Sequence, residues 1–133
     1  MLNWVPRRVR LVSAATDQSN GDKKQFAVKL ERNTGESFTG ETVAPETIAM
    51  ELKTSAEATV EALRKMIGQA AEITLRGVLP VAAFGNDLVI VSIKVNHEGQ
   101  TYQLFGLCPV ADSRTLAAAG ATLNAANRFL GLG

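Results

Sequence analysis

Apolar and polar positions alternate along the first third of the chain, and that period of two predicts strands. Val9 and Leu11 alternate with Arg8 and Arg10 in a segment from Val5 to Thr16. Asp17-Gln18-Ser19-Asn20-Gly21-Asp22 reads as a turn, because Asn-Gly accepts positive φ cheaply. Phe26, Val28 and Leu30 then face one way while Ala27, Lys29 and Glu31 face the other. Asn33-Thr34-Gly35 makes a second turn, and Glu36 to Val43 returns as a hairpin partner carrying Phe38. Pro45 closes this segment and suits the first turn of a helix.

From about Glu46 to Ile67 the period becomes helical. Leu52, Ala56, Thr59, Val60, Leu63 and Ile67 form one stripe, with Glu57, Glu61, Arg64 and Lys65 on other faces. The expectation is a surface helix laid on a sheet, with Glu61 and Lys65 as an attractive pair and Gly68 as C-cap. The same order then returns. Ile73 to Ala83, Leu88 to Val95 and Thr101 to Val110 read as strands, separated by turns at Phe84-Gly85-Asn86-Asp87 and Asn96-His97-Glu98-Gly99. The apolar run opening at Leu88 predicts a central strand covered on both faces at its start, with Val89, Val91, Ile93 and Val95 toward the core. Asp112 or Ser113 can cap a final helix.

The two helices repeat one another. Ala58-Thr59-Val60-Glu61-Ala62-Leu63-Arg64-Lys65-Met66-Ile67-Gly68 aligns with Ala121-Thr122-Leu123-Asn124-Ala125-Ala126-Asn127-Arg128-Phe129-Leu130-Gly131. Two Ala, one Thr and the closing Gly coincide. The fold class expected is therefore α+β: one domain of two tandem βββα units, about 5–68 and 72–131, with antiparallel sheets and two helices packed on them.

The final helix differs from the first, since Thr115 through Asn127 carries no charge and Ala117, Ala118, Ala119, Gly120 and Ala121 are all small. A helix open to water normally shows charges on that side, so burial on more than one face is expected. Gly120 in mid-helix costs about 1 kcal/mol relative to Ala, for which close packing would compensate. A subunit interface at Leu116, Ala119, Gly120, Leu123 and Asn127 is the reading favoured over an Ala-rich solvated face.

Composition bounds the function. The chain has 133 residues, of which 46% are hydrophobic and 20% charged, with a formal net charge of +1. That is a globular balance with no global field to attract nucleic acid or a membrane. The basic spots at Arg7, Arg8 and Arg10 and at Lys23 and Lys24 are local. A lone Cys108 permits no intrachain disulfide and fits a reducing, cytoplasmic setting. In its apolar run it reads as a small buried hydrophobe. No signal peptide or membrane-spanning segment is expected.

The chemistry on offer is thin. His97-Glu98 has no metal-ligand spacing around the single histidine and reads as a hairpin turn. The serines include no nucleophile elbow, and Gly35-Glu36-Ser37-Phe38-Thr39-Gly40 lacks the Lys-Ser/Thr of a phosphate loop. Trp4, Phe38, Tyr102 and Phe105 are too scattered for a stacking platform. Catalysis, metal and cofactor are accordingly not expected. Gly85, Asn86 and Asp87 could offer an amide and a carboxylate to a small ligand, or form a plain turn.

Phe26-Ala27-Val28-Lys29-Leu30, then Gly35, then Phe38-Thr39-Gly40-Glu41, and the ending Leu123-Asn124-Ala125-Ala126-Asn127-Arg128 together resemble the C-terminal regulatory domain of α-isopropylmalate synthase and citramalate synthase. The likeness covers about Val9 to Leu130. It implies two βββα units, no catalysis, dimerisation, and binding of an amino-acid end product between paired units, here near Gly85, Asn86 and Asp87. A homodimeric regulatory or metabolite-binding module is the function this suggests. The alternative is a scaffold that binds a partner chain through its uncharged C-terminal helix. A third reading, double-stranded RNA binding by βββα units, conflicts with the near-zero net charge.

Overall fold

The computed structural model describes residues 9–20, 23–32, 35–45, 48–111 and 113–130. Trp4, Arg7, Arg8, Gly21, Asp22, Asn33, Thr34, Glu46, Asp112 and Gly131 lie outside the described residues, as do the side chains of Arg10, Lys23, Lys24 and Phe26. In order, the elements are β1 (Val9–Asn20), β2 (Lys23–Arg32), β3 (Ser37–Pro45), α1 (Ile48–Ile67), β4 (Glu72–Ala83), β5 (Asn86–His97), β6 (Gln100–Pro109) and α2 (Arg114–Leu130). They form two antiparallel three-stranded sheets, ordered β1-β2-β3 and β4-β5-β6. The class is α+β, built from tandem βββα units.

Several local readings change. Asp17, Gln18 and Asn20 are not turn residues; β1 continues through them, pairing with Gln25, Lys24 and Lys23 of β2. Asn86 and Asp87 likewise open β5 and pair with Ala83 and Ala82. The hairpin loops shrink to Phe84-Gly85, with φ 54° and 76°, and Glu98-Gly99, with φ 51° and 78°. Two consecutive positive φ values define the type I′ turn, whose twist matches that of the strands it joins. Glu61 pairs with Arg64 at 3.5 Å rather than with Lys65, whose ammonium donates to the Thr39 carbonyl at 2.8 Å.

α1 is not a surface helix. It packs on β2 and β3 of its own sheet and on β4 of the other, while α2 packs on β5, β6 and β1. The helices also touch each other, so they form a layer between the two sheets. Thr54, Ser55, Ala58, Ala62 and Met66 of α1 are buried along with the expected stripe. At the helix starts the Ser55 hydroxyl donates to the Thr115 carbonyl at 2.7 Å, and the Thr115 hydroxyl to the Glu51 carboxylate at 2.9 Å. The apolar character of α2 follows from the same enclosure. Thr115, Ala117, Ala118, Ala119, Ala121, Thr122, Leu123, Ala125 and Ala126 are all buried inside the chain. The core-facing β5 set is as expected, with Val89, Val91, Ile93 and Val95 each at most 1% exposed. Each such side chain contributes roughly 1.5–3 kcal/mol by leaving water.

The duplication extends well beyond the helices. Gly40 lies opposite Val28 in the first sheet, as Gly106 lies opposite Val91 in the second. A Cβ on Gly40 would collide with the Ala58 carbonyl and the Ala62 amide; one on Gly106 would collide with the Ala121 carbonyl and the Ala125 amide. Ala58 and Ala62 are the residues that coincide with Ala121 and Ala125 in the helix alignment. The shared Thr has a shared task as well. Thr59 donates to the Ser55 carbonyl at 2.9 Å and Thr122 to the Ala118 carbonyl at 2.8 Å, so each buried hydroxyl is satisfied one turn back. Register shifts also fall at matching places, between Leu11 and Ser13 in β1 and between Leu75 and Gly77 in β4.

Candidate ligand-binding site

At the start of β5 the strand, the helix layer and the chain crossing to α2 converge on a cavity of about 350 Å³. Its lining includes Leu52 from α1, Pro80 and Val81 from β4, Val89 from β5, and Val110 just before α2. Two charged side chains complete it, Asp87 and Arg114. Asp87 is held in place by its backbone, whose carbonyl accepts from the Val110 amide at 2.8 Å. Arg114 opens α2, where the Ser113 hydroxyl accepts from the Leu116 amide at 3.0 Å as an N-cap. A cation at a helix N-terminus opposes the helix dipole, and the first turn of α2 has no acidic residue. Arg114 therefore gains nothing from its own helix. It adds instead to a positive locus suited to a carboxylate.

Of the three residues expected at the site, only Asp87 lines the cavity. Gly85 forms the hairpin tip, and the Asn86 amide donates back to the Phe84 carbonyl at 3.2 Å within that hairpin. Arg114, Leu52 and Val110 were missed. The first was legible as a basic residue where an acidic one is favoured; the other two reach the cavity only through tertiary packing.

The remaining candidates occupy structural posts. His97 ends β5, about 30 Å along the strand from Asp87 at roughly 3.3 Å per residue. Its Nδ1 donates to the Ala70 carbonyl at 2.8 Å, and its ring meets the Phe129 ring edge-on at 5.3 Å. Cys108 is half-buried, and burial raises its thiol pKa above the ordinary value, which keeps it protonated. Among the described residues no cluster of three His, Cys, Asp or Glu side chains could hold a metal ion.

The interface set divides between two environments. Ala119 and Leu123 belong to the chain's own core. Leu116, Gly120 and Asn127 lie on the narrow stripe of α2 that stays open or half-open. The close packing that explains Gly120 is internal, since a Cβ there would meet the Cys108 Sγ at 3.1 Å. Among the described residues no helix is long and apolar enough to cross a membrane. No family model matches the chain, and no curated protein matches it either.

Proposed function

We propose that this protein is a non-catalytic, self-associating module that binds a small zwitterionic metabolite, an amino acid with an apolar side chain, and so serves a regulatory role. The observation that carries the reading is the joint presence of Asp87 and Arg114 in one cavity whose other walls are mostly apolar. A carboxylate suits an α-ammonium group, a guanidinium suits an α-carboxylate in a two-pronged contact, and the apolar walls suit a hydrocarbon side chain. The volume sits at the small end of the range for ligand pockets, which favours a ligand of amino-acid size.

The placing of the chain's one histidine and one thiol supports the non-catalytic part. The one histidine stands at the far end of β5 from the cavity, and the one thiol is kept protonated. Scaffolding through α2 has a narrower basis than its composition suggests, because most of that helix is enclosed by its own chain. A thermal-shift panel of amino acids, 2-oxo acids and nucleotides tests the reading, since a ligand bound only by the folded state raises the melting temperature. Stabilisation by apolar amino acids that is lost in Asp87→Asn and Arg114→Gln is the expected result. Indifference to every amino acid would refute it.

A further inference from the structure

The two sheets present different outer faces to the surroundings. With Val28 aligned on Val91 and Gly40 on Gly106, Ala27 corresponds to Ile90, Lys29 to Ser92, Thr39 to Phe105 and Glu41 to Leu107. Among the described residues, the outer positions Lys29, Thr39 and Glu41 of β2 and β3 are thus polar, and Val12 of β1, 40% exposed, is the large apolar side chain left open in that sheet. The second carries Leu79, Ile90, Phe105 and Leu107 on one continuous surface, with Leu79 64%, Phe105 53% and Leu107 51% exposed. The expectation that β5 is covered on both faces is not met within the chain. The fold does not demand this apolar surface, because its other copy manages without it.

We infer that the outer face of β4-β5-β6 is the surface on which a second copy of this chain docks, face to face about a twofold axis. This rests on the self-association in the function proposed above and assigns it a place. Three observations favour a second copy as the occupant. The centre of the face, Leu79, Ile90, Ser92, Phe105 and Leu107, is uncharged, and the exposed Lys94 stands beyond Ser92 toward the His97 end of β5, so the centre can meet itself without like-charge repulsion.

The dimensions also suffice. β4 and β5 have 12 residues each and β6 has 10. At about 3.3 Å per residue and about 4.8 Å between strands, the face spans roughly 550 Å². Two such faces bury roughly 1,100 Å² when the whole sheet docks, with Lys94, Thr74 and Gln103 as a polar rim around the apolar centre, and this clears the approximate 1,000 Å² of a specific interface. Finally, the Ser92 hydroxyl in the middle of the face is already shielded from solvent and without a hydrogen-bond partner, so covering it adds no new dehydration cost.

The test is sedimentation equilibrium of the intact chain beside Leu107→Lys, Leu79→Lys and, at the place equivalent to Phe105 in the first sheet, Thr39→Lys. Circular dichroism controls for folding; all three sites are exposed and tolerate lysine. The expected result is a wild-type dimer whose dissociation constant rises at least about 30-fold with either leucine replacement and stays put with Thr39→Lys. A wild-type chain that is monomeric throughout overturns this proposal and self-association with it. A dimer indifferent to both leucine replacements overturns the assigned face alone, leaving self-association standing. The metabolite response, read on the same variants, reports separately on the cavity.

Discussion

The first and second βββα units share their interior and differ at their surface. Gly40 with Ala58 and Ala62, and Gly106 with Ala121 and Ala125, set the same close approach of helix to sheet. Thr59 and Thr122 make the same internal hydrogen bond. Outside, Lys29, Thr39 and Glu41 give way to Ser92, Phe105 and Leu107, and when the helix alignment is continued back with the same offset Glu51 gives way to Arg114. What a duplicated unit keeps is what the fold needs. What it changes is where function is to be sought: the apolar sheet face, and every residue lining the cavity except Leu52, belong to the second unit.

The largest effect should come from the shared interior. Gly40→Ala and Gly106→Ala each force backbone against a new methyl group, and each should cost about 3 kcal/mol or more, read as a lowered urea midpoint. Comparable losses uphold the equivalence of the two units; a tolerated alanine at either site breaks it. Next comes the cavity. Asp87→Asn and Arg114→Gln should each weaken apolar amino-acid binding about 10- to 100-fold, or roughly 1.4–2.8 kcal/mol, with unfolding midpoints nearly unchanged. Glu51→Gln, at the place equivalent to Arg114 in the first unit, should leave binding intact.

A smaller effect attaches to Phe84. It is 99% exposed and held at φ 54°, a left-handed conformation that an aromatic residue rarely adopts. Phe84→Asn should stabilise the chain by about 1 kcal/mol, since Asn enters that region more readily. A loss of stability would show that the exposed ring has contacts outside the isolated chain.

Smallest is the titration of Cys108. Burial raises its pKa above the ordinary thiol value, so the folded state favours the neutral thiol. The resulting contribution is fully present below the unfolded pKa and is lost as pH rises through the folded one. Alkylation by iodoacetamide should therefore be slower than in the unfolded chain and accelerate only at higher pH. An equal rate would remove the desolvation argument.

Much of the fold was legible because local and global demands agree. The inward set of β5, the Ser113 cap, and Gly68 closing α1 at φ 65° with its amide on the Arg64 carbonyl all follow from pattern and turn chemistry. The helix repeat paired Ala58 with Ala121 and Ala62 with Ala125, but not the close approach of Gly40 and Gly106 to them, which is a tertiary fact. α1 was misread because charges on one narrow stripe suffice to create a surface-helix period, whereas enclosure by a second sheet is a tertiary fact. For the site, Asp87 was legible as a carboxylate near a hairpin. Its partner was not, because Arg114 lies 27 positions away and the cavity also needs Leu52 from the other unit. At Gly120 the small residue suggested another chain, and the structure adds a neighbour within the same chain, Cys108.

The most direct test of the account is a calorimetric titration of the purified protein with leucine, with 4-methyl-2-oxopentanoate and with 3-methylbutylamine. The three share a hydrocarbon tail, and only leucine carries both charges. A cavity walled by Asp87 and Arg114 predicts that leucine binds at least about tenfold more tightly than either half, a difference of roughly 1.4 kcal/mol. Equal affinity for all three, or no heat from any of them, would contradict it.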